Sequence, residues 1–210
     1  MSQQRVKRVR SLGQKKFRKE QNAFIAEGVK VVEELLRSDW TVVELLVADE
    51  SLLANFPDAE IVSAKEMEQM SQQRTPSGVL AVASIPERSW NGHGQGRWLY
   101  LDRMNDPGNV GTLIRTAAWF GMDGVLLSED SADLYNPKTV QSTMGALFHI
   151  PCFQDVHHAT LSNSGLPVLA ADMQGEDVFS FSFPEHGILV VGSESHGVSK
   201  DIEIKNRLTI

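Results

Sequence analysis

The second half of the chain alternates strand signals with helix signals, and that alternation constrains the fold more than any other feature. Trp98-Leu99-Tyr100-Leu101 reads as a buried strand, and Val110 to Phe120 as a helix. Val125-Leu126-Leu127 is a strand, and Pro137 to Leu147 a helix. Ile150 to Phe153, Val168 to Ala171 and Ile188 to Val191 read as further strands. Short apolar runs separated by helices predict a parallel sheet with helices on both faces, because parallel neighbours need a crossover between them. Such sheets bind ligands at the carboxyl ends of their strands. The loops after Leu101, Ala171 and Val191 are therefore where a site is expected.

Asn91-Gly92-His93-Gly94-Gln95-Gly96 holds three glycines in six residues and follows Pro86. It reads as a flexible linker. A phosphate-binding glycine loop is the alternative, but the run precedes a strand instead of joining a strand to a helix. The expected division is a first domain over 1–90, a linker over 91–97 and a second domain over 98–210. Within Gln21–Arg37, the apolar residues Phe24, Ile25, Val29, Val31, Val32, Leu35 and Leu36 give a helical pattern. Val42 to Ala48, Glu60 to Ser63 and Val79 to Ala83 are β-rich, and Lys65 to Met70 reads as a short helix. The first region is thus a small α/β unit.

Of the 210 residues, 41% are hydrophobic and 22% charged, the composition of a folded chain with a real core. No apolar run approaches the roughly 18 residues a membrane helix needs. Met1 to Arg10 is polar and basic, without the apolar centre of a secretory signal. Cys152 is the only cysteine, which excludes an internal disulfide, fits a reducing compartment and leads us to expect a cytoplasmic protein. The net charge of −7 hides an asymmetry: residues 1–30 carry nine Lys/Arg against Glu20 and Glu27. A basic arm on an acidic body suggests a polyanionic partner, since screening makes local charge outweigh the total. The alternative is a solvated helix face.

Two stretches carry candidate chemistry. The first, Leu101-Asp102-Arg103-Met104-Asn105-Asp106-Pro107-Gly108-Asn109-Val110-Gly111-Thr112-Leu113-Ile114-Arg115, leaves a strand, turns and enters a helix. Pro107 and Gly108 set a tight turn, and Asn109 is placed to cap the helix. Arg115 lies about one and a half turns on, able to project back toward the strand ends. Taken singly, Asn109 reads equally as a plain cap and Arg115 as a surface ion pair. The second stretch, Val190-Val191-Gly192-Ser193-Glu194-Ser195-His196-Gly197-Val198, runs from an apolar strand into a small polar loop. Gly192 permits close approach of a ligand to the backbone, and Glu194 is placed to accept from ligand or backbone donors.

Together these stretches resemble motifs 1 and 2 of the SpoU (TrmH) RNA 2′-O-ribose methyltransferases of the SPOUT superfamily. Tyr135-Asn136-Pro137-Lys138, with Ser142-Thr143-Met144-Gly145-Ala146-Leu147-Phe148-His149-Ile150-Pro151, is similar to the same family. Ser11-Leu12, Lys15-Lys16, Arg18-Lys19, Glu27-Gly28 and Thr75-Pro76-Ser77-Gly78-Val79 resemble its ribosomal-protein-like substrate-binding domain. The resemblance implies a knotted α/β methyltransferase domain acting as a homodimer on RNA, with ribosomal RNA favoured over transfer RNA. It implies S-adenosylmethionine as cofactor, held by Ala171, Asp172, Gly192, Ser193 and the backbone of Ile210. It implies that Asn109, Arg115 and Glu194 form the active site. The basic residues Arg8, Arg10, Lys15, Lys16, Arg18, Lys19 and Lys138 are the expected RNA contacts.

The family's third motif, a Ser-Leu-Asn core with a closing helix, follows a strand that matches Arg207–Ile210 here. The 210 residues stop before that motif, so residues 1–210 alone are expected to bind cofactor weakly or not at all. The competing reading is a non-catalytic RNA-binding or ribosome-assembly protein on the same fold. Retention of Asn109, Arg115 and Glu194 favours the enzyme. No Cys/His/Asp/Glu spacing suggests a metal, and no G-x-S-x-G elbow suggests a hydrolase.

Overall fold

The computed structural model describes residues 1–92 and 95–209. His93 and Gly94 of the expected linker, and Ile210, lie outside the described residues. The chain forms two compact units. The first joins Met1–Glu87 with Tyr135–His149, and the second joins Arg88–Leu134 with Ile150–Ile210. A segment from the middle of the expected second domain thus packs with the first.

The first unit starts with two helices, α1 (Gln3–Ser11) and α2 (Lys15–Gln21). The Ser2 side chain caps α1 by accepting from the Arg5 amide. Val6, Val9 and Leu12 fall on one side and are buried with Ile25, Leu46, Met67, Met70 and Leu80. The basic arm is therefore an amphipathic structure anchored by its apolar face. Strand β1 (Ala23–Glu27) and helix α3 (Val29–Leu36) follow. The helix expected across Gln21–Arg37 is corrected here: Phe24 and Ile25 lie in a strand buried on both faces, and helix begins only after Gly28. Gly28 adopts φ +108°, which a side chain disfavours, and this breaks one apolar run into two elements.

Strands β2 (Val42–Val47) and β3 (Glu60–Ile61), helix α4 (Ala64–Met70) and strand β4 (Val79–Ser84) complete this part. The sheet order is β1-β4-β2-β3, with β4 antiparallel to both neighbours and β2 parallel to β3. Ser63 and Glu66 form a reciprocal capping box on α4.

The returning segment contributes Tyr135 and Phe148, whose rings pack with Phe24 and Trp40. Its helix α5 (Pro137–Ser142) is shorter than the Pro137–Leu147 helix expected. Met144 at φ +51° and Gly145 at φ +94° end it. A Cβ on Gly145 would lie 2.4 Å from Glu34 Cβ, so only glycine lets the segment close on α3.

The second unit is a six-stranded sheet in which every paired neighbour is parallel. Its strands are β5 (Arg97–Asp102), β6 (Gly124–Leu127), β7 (Cys152–Phe153), β8 (Val168–Asp177), β9 (Gly187–Gly192) and β10 (Asn206–Thr209). The order is β10-β8-β9-β5-β6-β7. Helix α6 (Pro107–Trp119) follows β5, and a short helix α7 (Ala159–Asn163) precedes β8. Tyr100, Leu126, Val168, Ala170, Ile188 and Val190 form the core. Cys152 is buried, as its apolar strand implies. From β5 the chain steps to β6 on one side, whereas β9 lies on the other. The carboxyl ends of β5 and β9 therefore flank a point where the winding reverses, the position at which parallel sheets bind ligands.

Candidate active site

Asp102 ends β5, paired in register with Gly192 at the end of β9. After it the chain turns sharply, with Arg103 at φ +53°. Ser128 and Ser131 hold this turn: their hydroxyls accept from the Arg103 and Met104 amides at 2.9 and 3.0 Å. The turn delivers Asp106, which caps α6 by accepting from the Asn109 amide at 3.0 Å. Pro107 occupies the first turn, where its missing N–H costs nothing. Asn109 is thus not the cap expected of it. It sits in the first turn with its side chain free for other work.

That side chain reaches across the sheet end. Asn109 Nδ2 donates to Glu194 Oε1 at 2.6 Å, joining residues 85 apart in sequence. Arg115 lies further along α6, more than two turns from its start rather than one and a half, and is exposed. Among the described residues it makes no ion pair, so its charge remains available. It is not bonded to Asn109 or Glu194.

The loop that carries Glu194 is tightly closed. The Gly197 amide donates to the Ser193 carbonyl at 2.8 Å. A Cβ on Gly192 would meet the Gly197 carbonyl carbon at 2.1 Å. Glycine at 192 thus lets the loop's own backbone close against the end of β9. Ser193 is buried, and among the described residues its Oγ has no hydrogen-bond partner. Asp102 anchors the far side of the loop. It is only 3% exposed, and its Oδ2 accepts from both the amide and the hydroxyl of Ser199, each at 2.6 Å. Neither Asp102 nor Ser199 is among the candidates read from sequence. The available signal is a carboxylate closing an otherwise apolar strand.

On the other side of β9, strand β8 departs from regular pairing. Its register against β10 jumps between Arg207 and Leu208, so Ala171 to Gly175 bulge out of the ladder. Asp172 in this bulge forms an ion pair with Arg207. That hydrogen bond from Arg207 holds its carboxyl below the usual value. Ala171 and Asp172 thus follow Ala170, the last β8 residue paired with β9, while Gly192 ends β9 and Ser193 comes next.

The expected RNA contacts separate into three groups. Arg10, Lys15, Lys16, Lys19 and Lys138 are exposed. Arg8 is partly covered and pairs with Glu44. Arg18 is a correction: it is 2% exposed, and its Nη1 donates to the Leu12 carbonyl at 2.8 Å. It ties α2 to the end of α1 and cannot face a ligand.

Residues 97–210 match the model of the SpoU rRNA Methylase family. The chain belongs to that family. Residues 3–81 match the MRM3-like substrate binding domain. A relative from Bacillus subtilis (strain 168), named 23S rRNA (guanosine(2553)-2′-O)-methyltransferase RlmP, is 33% identical over 99% of this chain and 86% of its own length. A 23S rRNA (uridine(2479)-2′-O)-methyltransferase from Streptomyces viridochromogenes is 27% identical over 90% of this chain and 74% of its own. Among solved structures, one from Porphyromonas gingivalis assigned to the TrmH family superposes with a TM-score of 0.90 at 36% identity, covering 100% of this chain and 88% of that one. An AdoMet-bound rRNA methyltransferase from Sinorhizobium meliloti superposes with a TM-score of 0.83 at 28% identity, covering 99% and 85%. Within the SpoU family fold, the parallel sheet read from the sequence is the one observed.

Proposed function

We propose that this protein transfers a methyl group from S-adenosylmethionine to a ribose 2′-hydroxyl of ribosomal RNA. The observation that carries the reading is the Asn109–Glu194 hydrogen bond, which unites the two motif loops at the carboxyl ends of β5 and β9. The relatives named as 23S rRNA 2′-O-methyltransferases and the substrate-binding domain match support ribosomal RNA as the substrate class.

The cofactor, when bound, supplies a methyl on a sulfonium centre, a strong leaving group. Ala171, Asp172, Gly192 and Ser193 would hold it. The buried, partnerless Ser193 Oγ fits that assignment, being a polar group that lacks a bond a ligand would supply. Ile210, expected at the same pocket, lies outside the described residues. Much of the catalysis is orientation. Glu194 fixes the Asn109 amide at the sheet end, where it can position the incoming ribose. The chain's own part would be to hold the ribose 2′-hydroxyl facing that methyl and to let its proton pass to water at the exposed end of the sheet. Arg115 is always charged and so is a poor base. Its role is to grip the phosphate beside the target ribose and favour loss of that proton.

The same reading includes a knotted carboxyl-terminal segment, a homodimer and a cytoplasmic location. Trp119 and Phe120, 83% and 72% exposed at the end of α6, support the dimer, because large apolar side chains beside one another favour a partner surface. The single cysteine supports a reducing compartment.

The experiment is methyl transfer from labelled cofactor to ribosomal RNA, comparing the wild type with Arg115→Ala. A large loss of incorporation is expected. Equal incorporation by the two would remove Arg115 from the mechanism.

A further inference from the structure

We propose that the first unit carries a pocket for an unpaired guanine base, read by Glu27 and Gln73. The proposal rests on the RNA-substrate reading above and adds a recognition site built only from residues of the first unit.

A cavity of about 240 Å³ lies between β1, the turn after α4 and the start of α5. Its polar lining includes Glu27, Gln73, Lys138 and Gln141, with Ile25 and Pro137 as apolar wall. Two segments meet here that resemble the family yet have no place in the transfer mechanism: Glu27-Gly28, and Tyr135 to Lys138. Their meeting point is a cavity rather than a filled core.

Glu27 is 6% exposed. Its Oε1 accepts from Ser71 Oγ at 2.5 Å and its Oε2 from the Gln72 amide at 3.1 Å. Among the described residues no cation pairs with it. A carboxylate has about four acceptor positions, and neutral donors fill two. A buried charge left this way is costly, and it gains from a ligand that donates more N–H groups. Gln73 lines the same cavity with the opposite need: its Nε2 is buried and has no partner among the described residues. The cavity therefore offers a strong acceptor close to an unused donor.

Guanine matches that set better than the other bases. Its N1–H and N2–H₂ are adjacent donors suited to one carboxylate, and its O6 accepts beside them. Adenine and cytosine present one exocyclic donor each, and uracil presents a lone ring N–H. Sequence-specific recognition of RNA works on such splayed-out bases, by hydrogen bonds to their edges and contacts to their faces. Ile25 and Pro137 supply the apolar contacts. Gln72 Nε2 donates to the Arg10 carbonyl at 3.2 Å, so the exposed Arg10 is close by to meet the RNA backbone.

The test uses the full chain and fluorescently labelled seven-nucleotide RNAs, oligouridine with a central guanine, inosine, adenine or cytosine. The guanine oligomer should bind about tenfold tighter than the adenine or cytosine one, with inosine between because it lacks the N2 amino group. Gln73→Leu and Glu27→Gln should abolish that preference while leaving the salt-dependent affinity for plain oligouridine unchanged. Gln73→Leu breaks none of the hydrogen bonds found here, so it carries the test if Glu27→Gln fails to fold. Equal affinity for all four oligomers, with normal salt dependence, would overturn the pocket and leave the RNA reading standing. An undiminished preference for guanine in Gln73→Leu would also overturn it. Failure of every oligomer to bind at low salt would sink the RNA reading itself, and the pocket with it.

Discussion

Asp102 holds Ser199 by two hydrogen bonds to one carboxylate oxygen, across 97 positions of sequence. This contact fixes the far end of the loop whose near end presents Glu194. Hydrogen bonds to a buried charge contribute about 1.5–3 kcal/mol each. Ser199→Ala should therefore lower unfolding stability by that amount in denaturant titrations. Ser199→Thr, which keeps the hydroxyl, should recover most of it. Methyl transfer should fall further in Asp102→Asn than stability alone explains, because displacement of a positioned group by about 1 Å costs up to ~10²-fold in rate. The loss is expected in kcat more than in KM. A KM effect alone would contradict the positioning role.

The Asn109–Glu194 bond is exposed at the sheet end, so its contribution to stability is small, below about 1 kcal/mol for a contact of this kind. Its contribution to rate should be large. Asn109→Ala and Glu194→Ala should each reduce methyl transfer by ~10²-fold, the scale for losing one positioned polar group in an active site. The double variant should be little worse than either single one, because the two side chains act as a unit. Full additivity in single-turnover kinetics would show that they act independently.

The sheet is legible in the sequence because its strands are short apolar runs separated by helix-length gaps, and parallel pairing requires both. The pairing of Asn109 with Glu194 is legible only through the resemblance of two motifs, since neither residue alone says more than turn or cap. Three features escape the pattern. Gly28 splits the apolar run of Phe24 to Leu36 into strand and helix, and periodicity does not register a single residue at φ +108°. The Tyr135–His149 segment packs with the first unit because Tyr135 and Phe148 complete an aromatic cluster around Phe24 and Trp40, a long-range contact that local signals cannot carry. Arg18 sits in a basic run and reads as one more exposed cation. Its burial follows from the turn between α1 and α2, which brings the Leu12 carbonyl within its reach.

That difference among the basic residues separates two kinds of outcome. Arg18→Ala removes a buried charge-assisted bond and the packing of its aliphatic stem, and should cost about 1.5–3 kcal/mol of stability. Arg10, Lys15, Lys16 and Lys19 are exposed. Replacing any one of them with alanine should leave the melting temperature unchanged within roughly a degree, since surface substitutions stay within about 0.5 kcal/mol. Each replacement that removes a phosphate contact should weaken RNA binding and lower the slope of log affinity against log salt by about one. An unchanged salt slope in the fourfold variant would remove this face from the RNA interface.

Glu34 and His149 join α3 to the returning segment, with His149 Nε2 and Glu34 Oε2 at 2.8 Å. The hydrogen bond from His149, and then the nearby Arg37 charge, hold the Glu34 carboxyl below its ordinary value of 4.5. A carboxyl whose folded value is depressed contributes stability that is present above the ordinary value and is lost as pH falls through the folded one. Glu34→Gln should therefore melt below the wild type at pH 6. The gap should close as pH drops beneath 4.5, where the wild-type carboxyl also becomes protonated. A gap that persists unchanged at pH 3 would show that the glutamine is failing through packing against Gly145, whose backbone lies against Glu34, and not through loss of the charge.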